Sequence, residues 1–549
     1  MHAREFRFTR KNVVLTVAMG AALLASAAEA QSTAGTDATP QAIAPIRNCD
    51  IATMQAASLV SDYPTAPSTN PPNDTSVTVV SVSTTTNGGI PVCIVNLLVK
   101  PAINIRVGLP MGANWNGKLQ SEGGGGYAGS VGNPASTAQG YVGVQTDTGH
   151  TGGSGTFGCI NDCAGATQAT PGSADKQRQL DFIVRSEHLM AVLGKQLANY
   201  FYGTPVTLSY WNGCSTGGRQ GLKIAQTFPN DYNGLLVGAP AIHWDRFQAY
   251  QIWPQVTRNI ETNGTVYTSA NLTAKQNLAT NAAVASCQSS PGGVGDGYIT
   301  DARKCTYDPR NDATITKAAC TATDPTCLSP AEATFIFKTW DGARSASGKL
   351  LWPGNERGAA LNGLGGTAPF NIATAQPQYW VYFYPQWDWH TLNYDNYEAF
   401  FNLTQIRVGP ISGSDNPNLS AFKATGGKIL MWHGGADQLI MTRGTNMYYD
   451  AVANMMAGGD YSQLMPWFRH FIAPGVGHCS GGAGPQPQNL FGVLTNWVEN
   501  GQAPDRITSQ RTVNGQTQTR PLCPYPSFAQ YTGSGSINDQ NNFACVVQP

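Results

Sequence analysis

Residues 207–241 read TLSYWNGCSTGGRQGLKIAQTFPNDYNGLLVGAPA, and the fold is decided there. TLSYWNG is a short apolar run of strand type, RQGLKIAQTF reads as a helix, and LLVGAPA reads as a second strand. Strand, helix and strand in such close succession predict parallel strands in an α/β sheet. At the first junction stands Gly213-Cys214-Ser215-Thr216-Gly217, a G-x-S-x-G pentapeptide. The motif is common by chance in a chain rich in Gly and Ser. Its place between a strand and a helix is what a nucleophile elbow requires, with glycines permitting the sharp turn that lifts a serine hydroxyl clear of the sheet.

Outward from this stretch the pattern continues on both sides. From about 75 to 150, SVTVVSV, IPVCIVNLLV, INIRVGLP and YVGVQTD alternate with Gly-rich turns and predict strands. Residues 179–201 space their apolar side chains for an amphipathic helix. From 241 to 420 polar helix-like pieces and an aromatic stretch, QYWVYFYPQWDWHTLNYDNYEAFF at 378–401, interrupt the alternation. It resumes with KILMWHGGADQLI, a helix-like GTNMYYDAVANMMA and a strand-like WFRHFIAPGVGHC. The expectation is an α/β-hydrolase core in two parts, 31–240 and 421–549, with a lid domain inserted at 241–420. No repeating unit is evident.

The N-terminus reads as an export signal. Arg4, Arg7, Arg10 and Lys11 precede an apolar run from Val13 to Ala28, and Ala28-Glu29-Ala30 is an A-x-A cleavage site. A periplasmic or extracellular location follows as an expectation. The chain has 33 basic and 33 acidic residues; a leader of 1–30 removes four and two, leaving a net charge of −2. Only 12% of residues are charged and no basic cluster stands out, which argues against nucleic acid and anionic membrane as partners. No later segment is apolar enough to span a bilayer. Twelve cysteines in an exported chain suggest disulfides, and no paired C-x-x-C suggests zinc. Cys49/Cys93, Cys159/Cys163, Cys287/Cys305, Cys320/Cys327 and Cys523/Cys545 are plausible local pairs, leaving Cys214 and Cys479; spacing alone does not fix this connectivity.

A serine nucleophile needs a base, and the base an orienting carboxylate. In α/β-hydrolases the chain order is Ser, acid, His. His478 follows a strand-like run in Gly477-His478-Cys479, and Asp437 lies just beyond KILMWHGG, so Ser215, Asp437 and His478 form the candidate triad. His433 precedes the acid, His470 lies inside the strand, Asp450 falls in a helix and Asp415 in a polar loop; all four are weaker candidates. Cys214 precedes the serine and Cys479 follows the histidine, so a disulfide between them would clamp the elbow to the histidine loop. The loop Gly123-Gly124-Gly125-Gly126-Tyr127-Ala128-Gly129 is the candidate second half of an oxyanion hole, with backbone N–H groups of Thr216 and Gly125 as donors. Which glycine donates stays open.

These residues resemble the tannase and feruloyl esterase family. The resemblance rests on Gly213 to Arg219, Trp432-His433-Gly434-Gly435-Ala436-Asp437, Pro474 to Cys479, Gly123 to Gly126 and Trp497 to Pro504. The bacterial mono(2-hydroxyethyl) terephthalate hydrolase is similar as well. The resemblance implies a secreted serine carboxylesterase acting on a gallate, ferulate, chlorogenate or terephthalate monoester, with no cofactor required. It also implies a calcium loop between two lid cysteines. Here Cys287–Cys305 reads CQSSPGGVGDGYITDARKC, where Ser289 and Gly292 stand in place of acidic ligands. Val294, Asp296 and Tyr298 remain, and the loss of two anions should weaken calcium severely. Arg357 is a candidate fork for a substrate carboxylate. A non-catalytic binding protein for aromatic or glycan ligands, and a serine peptidase on the same core, are the competing readings.

Overall fold

The structure, a computed structural model, describes residues 46–63, 76–289 and 292–547. The leader at 1–30 and the segment 31–45 lie outside the described residues. Nine strands form one sheet: β1 (Val77–Asn87), β2 (Ile90–Val99), β3 (Ile103–Pro110), β4 (Lys118–Glu122), β5 (Val142–Thr146), β6 (Leu208–Cys214), β7 (Gly234–Gly238), β8 (Lys428–Gly434) and β9 (Phe468–Ala473). Their spatial order is β1-β2-β3-β5-β4-β6-β7-β8-β9. β1, β2, β3 and β5 pair antiparallel in succession. From β5 to β9 every pairing is parallel. This is the sheet of an α/β-hydrolase.

Parallel strands are buried on both faces, and side-chain alternation shows how each face is filled. Trp211, Leu235, Val237, Ile429, Met431 and Phe468 face the larger core with Leu189, Leu193 and Leu197 of the helix Ser186–Tyr202 and Tyr448 and Tyr449 of the helix Thr442–Ala457. Their neighbours Tyr210, Leu236, Leu430, Trp432 and Phe471 turn the other way, onto Leu494 and Trp497 of the helix Leu490–Asn500. The helix expected over 179–201 runs from Lys176 to Tyr202 and contains a π-turn at Asp181–Arg185. Arg219 donates to the carbonyls of Phe182 and Ile183, both at 3.1 Å, so a buried guanidinium holds that turn.

β7 and β8 lie side by side, pairing Leu235 with Ile429 and Val237 with Met431, although some 190 residues separate them in sequence. The intervening chain carries the helices Trp244–Gln251, Trp253–Glu261, Ser269–Cys287, Pro330–Asp341 and Tyr397–Ser412. Leu272, Ala279, Phe335, Ile336 and Trp340 form a small core within it. Trp244, Phe247, Tyr250 and Phe400 join the main core instead. In the aromatic stretch at 378–401, Trp380, Tyr397, Phe400 and Phe401 are buried, and Tyr379, Tyr382, Trp387, Trp389 and Tyr394 pack half-buried against the same core.

All six cysteine pairs are disulfides: Cys49–Cys93, Cys159–Cys163, Cys214–Cys479, Cys287–Cys305, Cys320–Cys327 and Cys523–Cys545. Among the described residues no helix is long and apolar enough to cross a membrane.

Candidate active site

Ser215 sits between β6 and the helix Thr216–Thr227 with φ 64° and ψ −123°, a conformation that side chains other than glycine rarely adopt. The strain is held by backbone bonds on both sides. Its N–H donates to Gly238 O at 2.9 Å, and its carbonyl accepts from Arg219 and Ala241, both at 3.1 Å. The elbow also needs bare backbone beside it. A Cβ on Gly213 would come within 2.6 Å of the Gly217 carbonyl group, and one on Gly218 within 2.4 Å of Gly238 O.

Asp437 follows β8 and is buried. Its Oδ1 accepts from the N–H groups of Leu439 at 2.8 Å and Ile440 at 2.9 Å. Its Oδ2 accepts from His478 Nδ1 at 2.8 Å and from His433 Nε2 at 3.0 Å. Burial alone would raise the carboxyl's pKa, but the charge of His478 and the two imidazole hydrogen bonds outweigh it and hold Asp437 well below the usual carboxylate range. His478 lies on the turn after β9, and its backbone N–H donates to Gln438 Oε1 at 3.0 Å. With Nδ1 on the carboxylate, Nε2 is the nitrogen left for chemistry. No hydrogen bond joins it to Ser215 Oγ in this structure. The disulfide Cys214–Cys479, with 6.0 Å between Cα atoms, ties their neighbours together.

Ser215 and His478 line one cavity of about 360 Å³ with Gly125, Gly126 and Thr216. The rest of its wall is largely apolar: Ala241, Trp244, Phe247, Phe370, Ile372, Leu439 and Ile440, with Gln248 and Gln251. Trp244, Phe247, Gln248 and Gln251 stand at i, i+3, i+4 and i+7, one face of a single helix. In the glycine loop, Gly123 N–H donates to Asn212 O and Gly124 N–H to Gln220 Oε1, while Thr216 Oγ1 donates to Gly126 O at 2.6 Å. The amides at Gly125 and Gly126 are the ones the fold leaves beside the serine.

The other histidines and acids singled out in the sequence have different places. His433 is the second imidazole on Asp437, with Nδ1 2.8 Å from Thr445 Oγ1. His470 is buried, its Nε2 2.9 Å from Asn446 Oδ1. Asp450 accepts from Tyr461, and Asp415 pairs with His243 and Arg246. Arg357 is not at the cavity that holds Ser215. Its Nε donates to Tyr307 O at 2.6 Å, its guanidinium lies over Trp340, and it lines a separate cleft with Tyr298, Gly435 and Ala436. Gln220 and Gln438 escaped the sequence reading because an amide carries no motif.

The described residues of the Cys287–Cys305 loop do not fit a calcium ion. Asp296 Oδ2 accepts from Arg520 Nη2 at 2.5 Å and Nε at 3.1 Å, and Gln518 donates to Oδ1. Asp296 O, a carbonyl that could face a cation, accepts from Arg511 at 2.8 Å. The Tyr298 hydroxyl is turned to the same carboxylate, and Val294 packs on Cys523, Ala529 and Phe543. Two guanidinium groups occupy the anionic side of the loop, and a dication placed there would meet their repulsion.

A family model described as "Tannase and feruloyl esterase" matches residues 90–546. The chain is 33% identical to a probable feruloyl esterase of Arthroderma benhamiae over 494 residues, covering 84% of this chain and 86% of that protein. It is 29% identical to the mono(2-hydroxyethyl) terephthalate hydrolase of Piscinibacter sakaiensis, covering 81% and 82%. The crystal structure of feruloyl esterase B from Aspergillus oryzae superposes with a TM-score of 0.73 at 27% identity, covering 86% of this chain and 98% of that one.

Proposed function

The chain belongs to the tannase and feruloyl esterase family, and from that premise we propose that it is an exported serine carboxylesterase that cleaves esters of hydroxylated aromatic acids through an acyl-enzyme. The observation that carries this reading is the run of contacts from Asp437 Oδ2 to His478 Nδ1, with Ser215 and His478 on one cavity wall and their neighbouring cysteines bonded to each other. Ser215 Oγ attacks the ester carbonyl carbon as His478 Nε2 takes its proton, and Asp437 holds the imidazolium that results. The N–H groups of Thr216 and of Gly125 or Gly126 receive the oxyanion. His478 then gives its proton to the departing alcohol, and water hydrolyses the acyl-enzyme by the same proton traffic in reverse.

The cavity wall supports a phenolic acid over a terephthalate monoester. Among the described residues no lysine or arginine lines it, so a second carboxylate on the ring would sit there without a counter-charge. Three fully buried polar atoms of its lining residues, Trp244 Nε1, Gln248 Nε2 and Gln251 Oε1, lie behind the cavity surface without a hydrogen-bond partner among the described residues. Gln248 Oε1 is engaged by the Tyr127 hydroxyl and Gln251 Nε2 by Leu439 O, which fixes both amides. The segment 241–420 acts as the lid that shapes this acid-binding cleft. Six disulfides accord with an oxidising compartment outside the cytoplasm.

The test is one set of measurements. A fluorophosphonate should label the protein at Ser215 and not the Ser215→Ala variant, and that variant should lose turnover of aryl esters. Among gallate, ferulate, chlorogenate and terephthalate esters, the phenolic acids should give the higher kcat/KM. Absence of labelling and turnover would favour the ligand-binding reading, and turnover of peptides over esters the peptidase.

A further inference from the structure

Gln220 bridges the loop beside Ser215 to a carboxylate buried deep in the core. It lies one turn into the helix Thr216–Thr227 and is buried. Its Oε1 accepts from Gly124 N–H at 3.0 Å, and its Nε2 donates to Glu187 Oε1 at 2.6 Å. The amide cannot turn over without losing the bond to Gly124, because a backbone N–H only donates. Glu187 is itself immobile: it has no exposed side-chain surface, accepts from Ser186 Oγ at 3.1 Å, and has Arg219 3.8 Å away. Two further anchors hold the same loop: Gly125 O accepts from Ala128 N–H at 2.7 Å, and Gly126 O from the Thr216 hydroxyl. Gly125 is exposed, with open space around its Cα, and the hydrogen bond at Gly124 fixes the chain on its N-terminal side.

We propose that Gln220 is a positioning residue for the oxyanion hole: held by Glu187, it fixes Gly124 and so sets the direction of the next amides, those of Gly125 and Gly126, toward the ester carbonyl at Ser215. The proposal rests on the reading of Ser215 as nucleophile. An oxyanion hole acts through donors aimed in advance at charge that exists only in the transition state, so a loosened loop costs turnover and leaves ground-state binding largely intact. Gln220 touches neither the substrate nor the reacting atoms.

The test compares Gln220→Met, which keeps the volume and removes both hydrogen bonds, with Gln220→Glu, which keeps an acceptor for Gly124. On an aryl ester, Gln220→Met should lower kcat roughly 10- to 100-fold, a part of what losing one donor outright costs, with KM within about 2-fold. Affinity for a boronic acid that mimics the tetrahedral intermediate should fall in the same proportion as kcat. Gln220→Glu should lie between Gln220→Met and the parent. A kcat within about 2-fold of the parent in folded Gln220→Met, or a loss borne by KM alone, would overturn the proposal. Should neither variant fold, residue-resolved hydrogen exchange on the unaltered protein decides: Gly124 N–H protected like a core amide supports it, and exchange at a free-amide rate sinks it. If the parent itself neither turns over esters nor labels at Ser215, the esterase reading has failed instead.

Discussion

At the scale of single residues, Asp437 is where the site's electrostatics concentrate. Its Oδ2 takes two imidazole N–H groups, and its Oδ1 takes two backbone N–H groups. Asp437→Asn keeps the shape and removes the charge, so His478 loses the partner that fixes its tautomer and its imidazolium. The expected outcome is a loss of kcat of roughly three to four orders of magnitude with the fold intact, read from ester turnover and circular dichroism. His433 acts on the same atom from a different side. His433→Phe leaves Oδ2 with one donor and the Thr445 hydroxyl without its imidazole partner. Stability should fall by about 1–3 kcal/mol in urea denaturation, with a smaller loss of turnover than Asp437→Asn. Chain order and neighbouring cysteines brought Ser215, Asp437 and His478 into view from sequence. The partnership of His433 with Asp437 did not show, since a histidine four residues before an acid on a strand end has no pattern of its own.

At the scale of elements, most strands were legible because a buried parallel strand is a run of apolar residues, as in β6, β7 and β8. β4 was not. Lys118–Glu122 reads KLQSE and still lies between β5 and β6 in the middle of the sheet. Two of its polar side chains are satisfied in place, Ser121 Oγ by the Tyr232 hydroxyl at 2.8 Å and Glu122 by Ser136 N–H and Gln145, while Gln120 Oε1 is buried without a partner among the described residues. Hydropathy carries no sign of partners that come from elsewhere in the chain. The two elements that meet at the site are joined by Cys214–Cys479, which closes a loop of 265 residues. The double variant Cys214→Ala/Cys479→Ala should lose about 2–5 kcal/mol of stability and turn over more slowly, checked by thermal unfolding and by kcat. The Cys287–Cys305 loop, where the resemblance implies calcium and Ser289 and Gly292 in place of acids count against it, is tied to the strand Gln516–Leu522 by Arg520 on Asp296. The melting temperature should therefore be unchanged by a calcium chelator. Arg520→Ala should lower it instead, since an almost buried carboxylate would lose its closest counter-charge and keep only Arg511 at 3.8 Å, at a cost of up to about 3 kcal/mol.

At the scale of the whole molecule, buried titrating groups pull stability in opposite directions with pH. Burial lifts the Glu187 carboxyl to about 7 and that of Asp181 to about 6, against Arg219 and Arg185. A carboxyl raised in the fold binds its proton more tightly folded than unfolded. Its contribution is fully present below the unfolded value, 4.5 or 3.8, and is lost as pH rises through the folded one. Burial does the reverse to two histidines, lowering His150 to about 4 and His470 to about 3 from 6.5. They must stay neutral in the fold, so their contribution is present above 6.5 and is lost as pH falls toward 4 and 3. Across roughly pH 4.5 to 6.5 the two pairs offset, and the melting temperature should be nearly flat. Below about pH 4 the carboxyls have nothing more to gain, while His470 and the strongly depressed Asp437 still lose, so stability should fall steeply. Glu187→Gln separates the two effects. Its amide cannot take up a proton, so the histidine loss is no longer balanced and the variant's melting temperature should decline between pH 6.5 and 4.5 relative to the parent's. Parallel curves for the two proteins over that range would mean that Glu187 does not titrate there, and that the flat region has another origin.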